Sequence, residues 1–345
     1  MKSHNNLSRR QFLGKSATAL SGLAFSPMWF KYARSTQGET PLLGRVLFDD
    51  VIVFDRPASE GSPTGTYQYN DILTLSQPVK GLSPHARHEV WFPIPINGYI
   101  HSQNVQLVKN NLNEPRDDIT PSGILGEITV PFAEAWPANK QKSSTNQLFF
   151  YGSIHWVYGL GEDQQGKRYY LVTEDRWSES YYVEAAHMRI LDDNELAPIS
   201  PTDESEKKQI IVDTVLQMLY AYENDKLVMA CGVSTGISTE EVNLVTPVGE
   251  YFINYKRPTR HMVHSDKIGI NDGELYGVPW VSYFTNSGIA FHGTYWHNDF
   301  SQAKSHGCVN MPIQAAKWLY LWSDPIIEPR SKKHTSRYGT TVRVL

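Results

Sequence analysis

The sequence predicts a mainly β protein made of several small units, not one large sheet. Short β-rich runs alternate with turn signals from Leu42 onward. The same grammar returns in a second stretch and again in a third. With 345 residues, 40% apolar and 20% charged, the chain has material for about two domains' worth of packed core. A net charge of −4 argues against a nucleic-acid binder held by bulk electrostatics. Two cysteines, Cys231 and Cys308, exclude a disulfide scaffold and a zinc site built mainly from thiolates.

The charge is uneven. Lys2, Arg9, Arg10, Lys15, Lys31 and Arg34 stand in a segment without acidic residues, leaving 26 basic against 36 acidic side chains beyond it. Ser8-Arg9-Arg10-Gln11-Phe12-Leu13 precedes a charge-free run over residues 16–30, shorter than the ~20 residues of a spanning helix. A basic head followed by a modest apolar run reads as an export signal. The Arg-Arg-x-Phe-Leu order resembles a twin-arginine signal. Residues 1–35 are assigned to it, and the rest of the chain is expected in the cell envelope, in the periplasm or cell wall. The only membrane contact expected is through this segment, if it stays uncleaved.

The first β unit is placed at residues 42–125. Val46-Leu47-Phe48 and Val51-Ile52-Val53-Phe54 are strand-like, and Glu89-Val90-Trp91-Phe92-Pro93-Ile94 runs to the hairpin signal Asn97-Gly98. The second is placed at 126–200, with Gln147-Leu148-Phe149-Phe150, Tyr169-Tyr170-Leu171-Val172 and Tyr181-Tyr182-Val183-Glu184. Short, closely spaced strands suggest small barrels. Both units resemble bacterial SH3-like modules and read as divergent copies of one. Polar, proline-containing residues 111–146 would join them. Residues 192–208, acidic and carrying Pro198 and Pro201, read as a linker.

A third unit, 207–345, opens with the strand Gln209-Ile210-Ile211-Val212. A hairpin follows, turning at Asn224-Asp225 and ending at Cys231. Its chemistry lies in Phe291-His292-Gly293-Thr294-Tyr295-Trp296-His297 and Ser305-His306-Gly307-Cys308-Val309-Asn310. A free thiol has a pKa of about 8.5, and only its thiolate attacks a carbonyl, so a neighbouring imidazole is needed to take the proton. Gly307 removes a side chain beside the nucleophile, letting backbone N–H groups approach a developing oxyanion. Cys231, closing an alternating strand, reads as a buried apolar-like thiol. Pro312 is placed to open a helix through Ala315-Ala316-Lys317-Trp318-Leu319-Tyr320-Leu321-Trp322 behind the cysteine loop.

These motifs, with Val233-Ser234-Thr235-Gly236 and Thr246-Pro247-Val248-Gly249, resemble the L,D-transpeptidase (YkuD-like) catalytic domain. The expected architecture is thus a β-sandwich catalytic domain preceded by two small SH3-like β-barrel modules. The resemblance implies Cys308 as nucleophile, His292 as its base and Gly293 carbonyl as the group orienting the imidazole. It implies His306 and Gly307 shaping the oxyanion and substrate pocket, Ser305 supporting the loop and Asn310 holding its far side. It also implies peptidoglycan stem peptides as substrate, a 3→3 cross-link as product, acylation of Cys308 by carbapenems, and no metal or organic cofactor. Tyr283, Phe284, Tyr295 and Trp296 either wall the substrate site or pack in the core. His297 reads as a surface or pocket-wall residue. Where many members carry Gly in the spacer, this chain has Phe300-Ser301. Three rivals remain at this point: a thiol L,D-carboxypeptidase, a zinc site from His292, His297, His306 and Cys308, and a non-catalytic wall-binding protein.

Overall fold

The computed structural model describes residues 41–83, 88–139, 145–201, 207–238, 243–263 and 274–345. The export signal expected at 1–35 lies outside the described residues.

Alternating burial makes the first strands. Val51 and Val53 point inward from Val51–Phe54, and Leu73 and Leu75 from Ile72–Leu75. Residues 42–108 form a three-stranded sheet, Ile72–Leu75, Leu42–Val46, Val105–Val108, facing a five-stranded one. One apolar cluster of Val46, Val53, Leu75, Phe92, Ile100 and Val105 fills the space between them. The hairpin Val90–Ile94 to Gly98–His101 turns through three residues. The left-handed positions are Ile96 and Gly98, not the Asn97-Gly98 pair of a two-residue turn.

Residues 124–190 form a single seven-stranded antiparallel sheet around Ile128, Phe149, Val157, Tyr170, Val172, Tyr181 and Val183. Its strand Ile124–Ile128 straddles the boundary expected at residue 125 and pairs with Ile154–Glu162 and Met188–Ile190. The two units share one construction at their ends. In each, a hairpin leads into a single 3-10 turn, Ser102–Asn104 or Ala185–His187. A closing strand then pairs antiparallel with the unit's first strand.

The start of the region expected to be a linker is tied down at residues 192–196. Asp192 and Glu195 cap the 3-10 turn Asp193–Leu196 reciprocally, and Leu196 is buried in the core of the third unit.

The third unit is a sandwich of two five-stranded sheets. One runs Lys226–Gly232, Met218–Glu223, Lys208–Asp213, Thr341–Val344, Gly249–Phe252, with the third and fourth parallel. Asn224 and Asp225, both left-handed at φ 49° and 64°, make the hairpin turn that their sequence predicts. The other sheet runs Val309–Met311, Ala290–Gly293, Glu274–Tyr283, Tyr255–Val263, His334–Thr335. The helix Ile313–Trp322, with Pro312 at its N-cap, lies on Glu274–Tyr283 and Ala290–Gly293. The sandwich core includes Leu125, Ile154 and Trp156 from the second unit, so the two share one apolar interior. Among the described residues no helix is long and apolar enough to cross a membrane.

The end of that helix is fixed by a buried lysine. Lys256 Nζ donates to the carbonyls of Tyr320, Ser323 (2.8 Å) and Pro325 (3.0 Å). Lys256→Met strands three buried carbonyls, and the urea midpoint should fall by the equivalent of about 2–4 kcal/mol.

Candidate active site

The site is built on a parallel strand pair. Ala290–Gly293 and Val309–Met311 align with Phe291 opposite Val309, His292 opposite Asn310 and Gly293 opposite Met311. Neighbouring strands lie about 4.8 Å apart, so the residue before Val309 sits next to the residues before Phe291. That residue is Cys308. It is half-buried and, like Met262, Tyr283 and Trp296, packs against the cluster of Leu275, Val278, Val281 and Ala290. Its Sγ lies 4.0 Å from Gly288 O. Burial pushes the thiol above its ordinary pKa, and a backbone hydrogen bond from Ala290 opposes the shift. A thiol so held is protonated at neutral pH and needs a base when it attacks.

His292 is buried, and its Nδ1 lies 3.1 Å from Gly293 O. A carbonyl at Nδ1 fixes the proton there and leaves the lone pair on Nε2, the tautomer of a general base. The Trp296 ring sits 5.7 Å from the imidazole, centroid to centroid.

The cysteine loop is anchored at both ends. Ser305 Oγ donates to Cys308 O and accepts from Gly307 N–H (3.1 Å). The Gly307 N–H thus points inward here, not toward an incoming oxygen. What the glycine supplies is its left-handed backbone, φ 112°. Thr246 Oγ1 donates to Gly307 O (2.8 Å) and accepts from Gly236 N–H (3.0 Å). Behind the loop, Thr235 O accepts from Lys304 and Ser305 N–H, and Ser234 exchanges two backbone bonds with Asn310. Gly236 has no room for a side chain, since a Cβ would stand 1.9 Å from Leu244 O. Gln217 holds this layer in turn, accepting from Thr235 N–H and donating to Thr235 Oγ1.

The positions expected from sequence divide. Cys308, His292, Gly293, Ser305, Gly307 and Asn310 converge on the strand pair and its loop. His306, half-exposed, lies in the same loop. Tyr283 and Trp296 pack against the same apolar cluster as Cys308, whereas Phe284 is buried in the sandwich core. Tyr295 does not line the site. Its ring is buried, stacked on Phe150 of the second unit at 5.5 Å, and its hydroxyl donates to Tyr276 O (2.7 Å). His297 is not a surface residue either. It is buried, accepts from Asp299 N–H at Nδ1 (3.2 Å) and meets the Asn310 amide at Nε2 (2.8 Å). Both ring nitrogens are thereby engaged away from the other ligands of the zinc reading. Thr246 and Gly236 stand in motifs that the resemblance already marked. Gln217 carried no sequence signal, because its role comes from a left-handed turn at φ 52°. Cys231 packs against the sandwich core, and burial pushes its thiol up to about 12.

The strand pair thus carries a buried imidazole on one strand and a half-buried thiol at the entry to the other. Residues 207–344 match the family model described as the L,D-transpeptidase catalytic domain, YkuD. The chain is also similar to several solved structures. An L,D-transpeptidase from Stackebrandtia nassauensis is 25% identical over 42% of this chain and 58% of its own, with TM-score 0.29. A cysteine-to-serine mutant of an Enterococcus faecium L,D-transpeptidase is 19% identical over 40% of this chain and 50% of its own, with TM-score 0.31. The L,D-transpeptidase LdtMt1, solved in complex with imipenem, is 15% identical over 56% of this chain and 90% of its own, with TM-score 0.32. This chain thus spans little more than half the length of the first two. No curated protein sequence matches it.

Two outcomes follow from the spacer between His292 and Cys308. Ser301, at φ 90°, occupies backbone that favours glycine. Ser301→Gly should therefore raise stability by about 1 kcal/mol in chemical denaturation. Burial holds His297 neutral, pulling its pKa down to about 3 with help from Lys304. The unfolded chain then binds the extra proton between about pH 6.5 and 3, so stability falls as pH drops through that window. Thermal unfolding from pH 7 to pH 4 should show a smaller loss in His297→Gln than in the parent.

Proposed function

We propose that the protein is an envelope L,D-transpeptidase that cross-links peptidoglycan stem peptides through a cysteine thioester. The observation that supports the reading is the parallel strand pair, which carries the buried His292, its Nδ1 3.1 Å from Gly293 O, on one strand and begins its other strand directly after the half-buried Cys308. Nε2 of His292 takes the Cys308 proton as Sγ attacks the carbonyl of the third stem residue. Collapse of the tetrahedral intermediate breaks the bond to the terminal D-alanine, whose amine leaves with the proton from His292. The thioester then accepts an amine from the third residue of a second stem, giving a 3→3 cross-link and restoring the thiol. The apolar wall of Met262, Tyr283 and Trp296 favours aminolysis by limiting competing water. We further propose that residues 1–35 export the chain and that the two N-terminal β units, read as SH3-like, belong to the same envelope protein.

Intact-mass spectrometry with a defined tetrapeptide stem should show one acyl adduct, and adding an amine stem should convert it to cross-linked dimer. Cys308→Ala should abolish both, and His292→Ala should slow acylation by about a hundredfold or more. Cross-linking that survives in Cys308→Ala would refute the assignment. Carbapenem treatment should add one acyl mass, lost in Cys308→Ser, and an adduct on Cys231 instead would count against it equally.

A further inference from the structure

Arg45 is fully buried in the first strand of the first β unit, and its contacts reach all three units. Within its own unit, Nη1 donates to Asn70 Oδ1 (2.8 Å) and Nη2 to Gln106 Oε1 (2.8 Å). Toward the second, the guanidinium lies 4.3 Å over the Phe150 ring. Toward the third, Nη2 donates to Tyr295 O at 2.6 Å, three residues after His292. These partners are neutral, so burial is uncompensated by a carboxylate and pulls the guanidinium down to about 10. A buried cation is costly unless its donors are all satisfied, and such groups fix geometry more than they add stability.

Arg45 thus touches the segment that runs from His292 to Cys308. The Tyr295 ring meets Trp296 edge-on at 5.0 Å, and Trp296 stands 5.7 Å from the His292 imidazole. Further along, Asn298 Nδ2 donates to Ser102 O (2.9 Å) and Val105 O (3.2 Å) of the first unit. Lys304, four residues before the nucleophile, lies 4.9 Å over the Phe48 ring. Gln106 Nε2, besides holding Arg45 through its oxygen, donates to Tyr151 O of the second unit (3.0 Å).

We propose that the first β unit is a positioning element for the thiol–imidazole pair, and that Arg45 is its positioning residue, acting through the Tyr295 carbonyl and Trp296 on His292. The proposal rests on the reading of Cys308 as nucleophile and His292 as base.

The experiment uses the full chain and iodoacetamide, whose reaction with Cys308 needs no knowledge of the natural substrate. Alkylation of Cys308 is followed by mass spectrometry from pH 5 to 10, well below each variant's unfolding temperature. Arg45→Gln should slow alkylation at pH 7 by about tenfold to a hundredfold and move its midpoint to higher pH. Arg45→Lys, which keeps a donor to Tyr295 O, should recover part of the rate. Gln106→Ala, which loosens Arg45 without removing it, decides the matter if Arg45→Gln does not fold and should fall between parent and Arg45→Gln. Arg330→Ala, at an exposed pair with Asp193, should match the parent. If His292→Ala is slowed while Arg45→Gln and Gln106→Ala match the parent, the positioning role is wrong and the base survives. If His292→Ala itself matches the parent, the nucleophile–base reading falls and the positioning role with it.

Discussion

The parallel pairing of Ala290–Gly293 with Val309–Met311 is the constraint on which the rest of the site depends. Parallel neighbours cannot be joined by a tight turn, so the chain must leave the sheet after His292 and come back to Cys308. Here the excursion contains no helix and no strand. It makes no repeating ladder of its own, so its backbone groups and its shape must be satisfied from outside. Thr235 and Ser234 do this from behind, Ser305 and Thr246 close the last turn, and Arg45 with Asn298 ties the front to the first β unit. The irregular connection is thus braced from both sides.

The motifs of the site are legible in the sequence, and of its support the Ser234, Thr235, Gly236 and Thr246 layer is marked there whereas Gln217 and Arg45 are not. Ser305-His306-Gly307-Cys308 with His292 upstream is a local pattern, and local patterns survive as strings. The same holds for the Asn224-Asp225 hairpin and for the helix after Pro312. Tyr295 leaves two readings open in the sequence, pocket wall or core, because adjacency to Trp296 says nothing about which side a ring takes at a corner. It turns to Phe150, 145 positions earlier in the chain. His297 was misjudged because its partner, Asn310, comes beside it only when the excursion folds back. The Phe300-Ser301 departure raised a question about the spacer turn, and the backbone answers it with a serine at a glycine-like φ. Arg45 lies too far away in sequence for any motif to reach.

The two N-terminal units relate differently to the sandwich. The first has a closed core of its own and touches the rest through hydrogen bonds and cation–ring contacts of Arg45, Asn298 and Lys304 and through the Tyr69–Phe150 ring pair. The second lends Leu125, Ile154 and Trp156 to the sandwich interior and receives Tyr276 into its own core. Leu191, just ahead of the stretch read as a linker, and Leu196 within it complete that junction. The composition of the stretch, acidic with two prolines, concealed a leucine that acts as an anchor.

That shared interior bears on the portability of the catalytic fold. A domain that completes its own core can be cut out, transplanted or recombined with new neighbours. A sandwich whose inner layer is finished by Trp156 and Ile154 of the preceding unit would carry a raw apolar face into any new context. The smallest transferable piece of this chain is accordingly the pair, beginning ahead of Ile124, and any reshuffling of its architecture has to move both together.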